Sequence, residues 1–293
     1  MKPAAAIALA LAVQTTAGAQ LPAFHSETRL VVVHATVRNA RGELVTTLGR
    51  GAFTVYEDGR RQPITLFRND DIPVSLGLLI DNSGSMRTLR SKVEAAALAL
   101  VRASNPQDEV FVLNFNDKTR IDVPFTSDVG VLEAGIARVD SIGGTAMRDA
   151  FDLGQTYLAQ HGTRERKVLL VITDGIDNAS TVTRDRIEKQ ASERDTVVFA
   201  VGLFGGADRA RDGRHELDRL AERTGGAAFY PGDIDDIAPV ALEIARQIRS
   251  QYTMAYAPTN QALDGTYRTI RVTVSTPEPM TVRTRTGYVA TPR

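Results

Sequence analysis

The feature that most constrains this chain is the segment Val74-Ser75-Leu76-Gly77-Leu78-Leu79-Ile80, which ends abruptly on Asp81-Asn82-Ser83-Gly84-Ser85. The run is continuous rather than alternating and has the length of a strand, as expected for a parallel strand covered on both faces. Val110–Phe115, Lys167–Thr173 (KVLLVIT) and Thr196–Val201 (TVVFAV) repeat the texture. Helical spacing intervenes: Leu89, Val93, Ala97, Leu100 and Val101 form one stripe, and further helices are expected around 129–138, 146–160, 184–194, 215–223 and 234–250, with a short strand at 227–230. Alternating strands and helices specify an α/β fold, with a parallel central sheet flanked by helices on both faces.

The two ends have a different texture. Val31, Val33, Ala35 and Val37 occupy one face of a period-two pattern, and Asn39-Ala40-Arg41-Gly42 reads as a turn. Phe53–Tyr56 and Ile64–Phe67 flank Glu57-Asp58-Gly59-Arg60, where Asp-Gly is a hairpin signal. Ile270, Val272 and Val274 alternate with polar residues, and Thr281–Val289 follows a Pro-containing turn. Each end is too small for its own core, so the N- and C-terminal strands are expected to form one β-sandwich-like unit. The resulting division is 1–19, 20–72 (β), 73–251 (α/β) and 252–293 (β).

Residues 1–19 read as a signal peptide: Lys2, an apolar stretch from Ala4 to Val13, and Ala17-Gly18-Ala19 as the cleavage pattern, with the cut after Ala19. The stretch is too short to span a bilayer, which takes roughly 20 apolar residues. A secreted or periplasmic protein without a transmembrane segment is therefore expected. The absence of cysteine excludes disulfides, thiolate nucleophiles, cysteine zinc sites and a lipidated anchor. Lys+Arg and Asp+Glu both number 35, so no global positive field favours a nucleic-acid partner.

In open α/β sheets, ligands bind beyond the carboxyl ends of the strands. Three segments there carry short oxygen-bearing side chains: Asp81-Asn82-Ser83-Gly84-Ser85, Gly143-Gly144-Thr145-Ala146 and Asp174-Gly175. Asp81, Ser83, Ser85, Thr145 and Asp174 suit a hard divalent cation such as Mg²⁺, which takes six oxygens. Mn²⁺ and Ca²⁺ are alternatives. Two carboxylates and three hydroxyls leave room for water and for one ligand from outside, toward which the cation stays electrophilic.

Asp81-x-Ser83-x-Ser85, the later Thr145 and the strand-end Asp174-Gly175 resemble the metal-ion-dependent adhesion site (MIDAS) of von Willebrand factor A (VWFA) domains, over roughly residues 74–250. Phe53–Gly59 and Thr286-Gly287-Tyr288 resemble a VWFA-related family common in acidobacterial secreted proteins. The resemblance implies a Rossmann-like VWFA domain that binds protein ligands through Mg²⁺ without known catalysis. It also implies that Asp81, Ser83, Ser85 and Thr145 are ligands, with Asp174 close in, often through water. The expected function is an exported Mg²⁺-dependent adhesion or assembly module whose protein partner presents an acidic side chain. The alternatives are a cell-envelope module that assembles through its β unit with the metal only stabilising, and a metal-assisted hydrolase.

Other positions read as structural. Asp149 fits a helix N-terminal or supporting role, Asp177-Asn178 an Asx turn, and Asp235-Asp236 the first turn of a helix. Gly202, Gly205 and Gly206 do not spell a dinucleotide fingerprint. Arg209–His215 reads as a mixed-charge loop. A serine nucleophile would need an adjacent base, but His25, His34, His161 and His215 do not follow the relevant strand ends, and no G-x-S-x-G elbow occurs. An enzyme is not expected.

Overall fold

The computed structural model describes residues 29–137, 141–204 and 210–291. The expected signal peptide, His25, Gly205, Gly206 and Arg209 lie outside them. The first β region comprises β1 (Val31–Arg38), β2 (Phe53–Glu57), β3 (Arg60–Gln62) and β4 (Ile64–Arg68). The middle of the chain supplies β5 (Val74–Asp81), α1 (Arg90–Ala103), β6 (Glu109–Phe115), β7 (Thr119–Thr126), α2 (Val129–Ile136), α3 (Met147–His161) and β8 (Arg166–Thr173). It continues through α4 (Arg184–Glu193), β9 (Thr196–Gly202), α5 (Ala210–Thr224), β10 (Ala228–Phe229) and α6 (Ile237–Arg249). The chain then returns to β structure in β11 (Tyr252–Tyr256), β12 (Tyr267–Val274), β13 (Thr281–Thr284) and β14 (Gly287–Val289).

The middle elements form the expected Rossmann-like layer. Its sheet runs β10-β9-β8-β5-β6-β7, parallel except for β7. Every residue of the inner strand β5 is buried, which explains its unbroken apolar texture. Leu76, Leu78 and Ile80 share one core with Val93, Ala97 and Leu100 of α1 and Ile244 and Ile248 of α6. Leu79 joins Phe111, Leu169, Phe151 and Leu158 in the core on the other face. Gly77 makes that second core possible, since a Cβ there would meet the Phe111 ring at 2.4 Å.

One strand is unanticipated and one expectation is corrected. In β7, Ile121, Val123 and Phe125 do alternate with polar residues, but Pro124, which has no N–H to donate, argues against a strand interior; β7 is a half-exposed edge strand, where a proline is tolerated. The run read as a loop at 209–215 is helical from Ala210 onward. Gly213 is not a turn residue there. It clears space for Phe204, whose ring a Cβ would meet at 2.7 Å.

The terminal segments form two four-stranded antiparallel sheets, β13-β1-β11-β4 and β14-β12-β2-β3, around Val33, Val55, Tyr252, Tyr256 and Ile270. Each sheet interleaves strands from both ends, as expected for a β-sandwich-like unit. The Asp-Gly turn occurs, with φ +46° at Asp58 and +78° at Gly59, but its hairpin joins β2 to the short β3. Ile64–Phe67 crosses instead to the other sheet and pairs with β11 (Phe67 opposite Met254), past Pro63, which cannot extend the first ladder. Within the sandwich, the buried Glu57 carboxylate accepts hydrogen bonds from Tyr256 Oη (2.7 Å) and Tyr288 Oη (3.0 Å) and lies 3.5 Å from Arg268.

At the junction between the two units, Arg285 donates to Asp195 Oδ1 (2.5 Å) and to the Ser192 carbonyl (3.1 Å). His34 on β1 is buried there, with Nδ1 3.1 Å from Thr253 Oγ1. Burial first, then the positive charge of Arg166, holds its pKa down at about 3 against an ordinary 6.5. The folded chain therefore keeps this imidazole neutral while the unfolded chain protonates it. The stabilisation is complete above pH 6.5 and is lost as pH falls toward 3. Between pH 6.5 and about 5 the loss amounts to about 2 kcal/mol. Chemical unfolding across that interval should give a visibly shallower pH dependence for His34→Leu than for the wild type.

Candidate functional site

Strands β5 and β8 are parallel neighbours with Ile80 opposite Ile172, so Asp81 and the Thr173-Asp174 pair leave the sheet side by side. Asp81 ends β5 with its side chain fully buried. Its Oδ1 accepts from the Ser83 backbone N–H (2.8 Å), which bends the chain out of the sheet, and its Oδ2 accepts from Thr173 Oγ1 (2.6 Å). The Asn82 N–H donates to the Phe115 carbonyl (2.6 Å), fastening the same bend to β6. A short 3-10 turn, Gly84–Thr88, then leads into α1 and places Ser83 Oγ 3.1 Å from Ser85 Oγ. Ser85 Oγ in turn donates to Asp174 Oδ1 (2.8 Å).

Thr145 reaches the same place from the loop before α3. The Ile142 N–H donates to the Asn82 carbonyl (3.1 Å), the Gly84 N–H to the Gly143 carbonyl (3.2 Å), and the Ala146 N–H to the Asn116 carbonyl (2.6 Å). Gly143, at φ +79°, makes the turn this threading requires. Asn178 braces the threonine: its Oδ1 accepts from the Thr145 N–H (2.9 Å), while the Thr145 carbonyl accepts from the Asn178 N–H (3.0 Å). Thr145 Oγ1 lies over Gly175, where a Cβ would approach it to 2.8 Å, beside Asp174. All five residues singled out in the sequence thus converge. Asp81, Ser83 and Thr145 are buried, Asp174 is half-buried and Ser85 is exposed, so the cluster is closed below and open on one side.

The sequence reading missed Thr173, which holds Asp81, and the bracing role of Asn178, which it placed in a turn. Asp177 does make that turn, accepting from the Ser180 N–H (3.2 Å), and it also receives the Arg148 N–H (2.8 Å). Asp149 is a structural brace, since its carboxylate accepts from the N–H groups of Thr181 (3.0 Å) and Val182 (2.8 Å). Asp236 completes a capping box with Asp233 at the start of the turn leading into α6. Among the described residues no histidine hydrogen-bonds to Ser83 or Ser85. His161 packs on Tyr157 (ring centroids 4.4 Å apart), and His34 lies in the sandwich.

Burial raises the Asp81 carboxyl to about 6, against the lowering effect of its bonds from Thr173 and Ser83. Asp174 is also raised, chiefly by burial. Two carboxylates are thus held together partly out of water, where a positive charge would offset the desolvation of their ionised forms. Bonds of about 2.0–2.1 Å in an octahedron place adjacent oxygens about 2.9 Å apart. The Ser83–Ser85 and Ser85–Asp174 separations, 3.1 and 2.8 Å, bracket that edge. Among the described residues no group of three or more His, Cys, Asp and Glu side chains forms a metal cluster. The converging side chains are two carboxylates and three hydroxyls, a donor set that suits a hard divalent cation.

Residues 76–176 match the family model of the von Willebrand factor type A domain. No curated protein matches the chain by sequence. Among solved structures, the chain is similar to the von Willebrand factor domain of a type V pili tip protein from Porphyromonas gingivalis, at 12% identity and a TM-score of 0.52, covering 61% of this chain and 95% of that one. It is also similar to a von Willebrand factor type A protein from Catenulispora acidiphila, at 13% identity and a TM-score of 0.53, covering 88% and 73%. A third likeness is to proximal thread matrix protein 1 from the mussel byssus, at 16% identity and a TM-score of 0.53, covering 66% of this chain and 51% of that protein. At these identities the likeness is one of fold.

Asp149→Ala leaves the Thr181 and Val182 N–H groups without their acceptor. The substitution should destabilise the chain by about 1–3 kcal/mol. Amide hydrogen exchange at Thr181 and Val182 should accelerate before exchange in β8 does.

Proposed function

We propose that this chain, whose residues 76–176 match the family model of the von Willebrand factor type A domain, is an exported protein-binding module that holds Mg²⁺ at Asp81, Ser83, Ser85, Thr145 and Asp174 and takes an acidic side chain from its partner. The observation that carries this reading is the convergence of these five oxygen-bearing side chains beyond the ends of β5 and β8, with only the Ser85 side exposed. Asp81 and Asp174 supply the negative charge. Ser83, Ser85 and Thr145 supply neutral oxygens, so the site is not saturated with anions. Thr173 and Asn178 fix Asp81 and Thr145 in position. When bound, Mg²⁺ offers an electrophilic corner for a carboxylate oxygen. Among the described residues no histidine base accompanies the serines, so the site favours binding over turnover.

Export rests on the expected signal peptide at 1–19. No described helix is long and apolar enough to cross a membrane. A role in adhesion or assembly agrees with the fold likeness to a pili tip domain and a thread matrix protein.

A cation that binds only the folded chain stabilises it by RT ln(1+[L]/Kd), about 2.7 kcal/mol at a hundred-fold excess over Kd. Mg²⁺ should therefore raise the thermal midpoint of the wild type and leave Asp81→Ala almost unmoved; equal shifts would place the cation elsewhere. Capture of a partner from the producing cell's envelope should require Mg²⁺ and fail with folded Asp81→Ala. Capture that survives EDTA would point to assembly through the β sandwich.

A further inference from the structure

Helix α5 buries Gly213, Leu217, Leu220, Ala221 and Thr224 along one stripe, and within that stripe stands an acid, Glu216, only 3% exposed. Apolar residues of similar volume would pack the stripe at least as well, so stability alone does not explain a charge there. Its partner is also unusually placed. Arg148 lies in the first turn of α3, the end of a helix where the dipole disfavours a cation. The Arg148 guanidinium donates to both Glu216 oxygens, Nε to Oε1 (2.6 Å) and Nη2 to Oε2 (3.0 Å), in a bidentate fork. Arg184 Nη2 also donates to Glu216 Oε2 (3.4 Å).

Arg148 connects this acid to the candidate cation site. It follows Thr145 by three residues, its backbone N–H donates to Asp177 Oδ2 (2.8 Å), and its Nη1 lies 3.8 Å from Asp177 Oδ1. Asp177, whose side chain is 2% exposed, comes three residues after Asp174 and immediately before Asn178, the residue that braces Thr145. One guanidinium and one carboxylate therefore separate Glu216 from the loop that carries Asp174 and from the turn that carries Thr145. We propose that Glu216 is a positioning residue for the cation site. Through Arg148 it holds Asp177, and with it the loop from Asp174 to Asn178, against the start of α3, so that Thr145 Oγ1 and the Asp174 carboxylate stay within reach of one ion. The inference deepens the cation-binding reading above and rests on it. Loss of a partner one step behind a metal ligand typically costs roughly 10–100-fold in metal affinity.

Three variants of the full chain test it. Glu216→Gln removes the charge and keeps the shape. Arg148→Met combined with Glu216→Leu removes the fork without leaving either of its charges buried alone, and it decides the question if Glu216→Gln does not fold. Glu188→Gln is the control, because Glu188 is also buried and ties α4 to α5 through Arg219 (2.6 Å) and Arg223 (3.1 Å), further along the helix. Mg²⁺ affinity is measured by calorimetric titration, and amide hydrogen exchange is followed in the metal-free chains. The Glu216 variants should bind Mg²⁺ at least about ten-fold more weakly than the wild type, and their Thr145 and Asn178 N–H groups should exchange faster before any metal is added. Glu188→Gln should lower the unfolding midpoint and change neither readout. Wild-type affinity and exchange in the folded Glu216 variants, or equal losses in Glu188→Gln, would overturn the positioning role. A wild type that takes up no Mg²⁺ sinks the cation reading instead, and the exchange comparison in the metal-free chains then still decides whether Glu216 holds the Thr145 loop.

Discussion

The parallel pairing of β5 with β8 is the constraint on which the site depends. Because the two strands are in register, with Ile80 opposite Ile172, their first residues beyond the apolar layer arrive together, and those residues are Asp81, Thr173 and Asp174. Two acids at a sheet end would ordinarily swing apart into water. Here Thr173 Oγ1 and the Ser83 N–H hold the first one, and Ser85 Oγ holds the second. The cost of burying Asp81 is visible in its raised pKa, and the packing of the parallel sheet supports that cost. Function in this layer is therefore a by-product of register: a slip of one residue would turn the carboxylates to opposite faces.

Around that pair the loops lock one another. The bend after β5 is fastened to β6 and to the 141–146 loop, which is fastened in turn to the loop after β8 through Asn178. Glycines mark the places where backbones come too close for side chains. A Cβ at Gly144 would stand 2.6 Å from Asn178 Oδ1, and one at Gly175 would stand 2.8 Å from Thr145 Oγ1. Thr145 is thus aimed by neighbours that carry no charge, Asn178 and Gly175, which keeps the charge of the cluster to its two acids.

Much of this was legible in the sequence, for a physical reason. Full burial on both faces writes a continuous apolar run, so the end of β8 was marked to the residue and that of β5 to within one, and the polar residues there could be read as a group. What was not legible depended on contacts distant in sequence. Thr173 reads as the last residue of a strand until β5 is laid beside it, and Asn178 reads as a turn residue until Thr145 is threaded past it. Strand β7 escaped notice although Ile121, Val123 and Phe125 alternate, because Pro124 stands inside the run and only an edge position accommodates a residue without an N–H. The crossing of Ile64–Phe67 to the second sheet leaves no local mark either, because its partner, β11, lies nearly two hundred residues away.

That last pairing has a consequence for how the chain is assembled. β4 delivers the polypeptide into the α/β layer and β11 receives it back, and the two are hydrogen-bonded neighbours, with Arg68 opposite Thr253. The whole Rossmann-like layer therefore sits as an insertion at the tip of what is topologically a hairpin. It can be excised and replaced by a tight turn without rerouting a single sandwich strand. The same hairpin offers a ready-made socket into which another compact unit with closely spaced ends can be grafted.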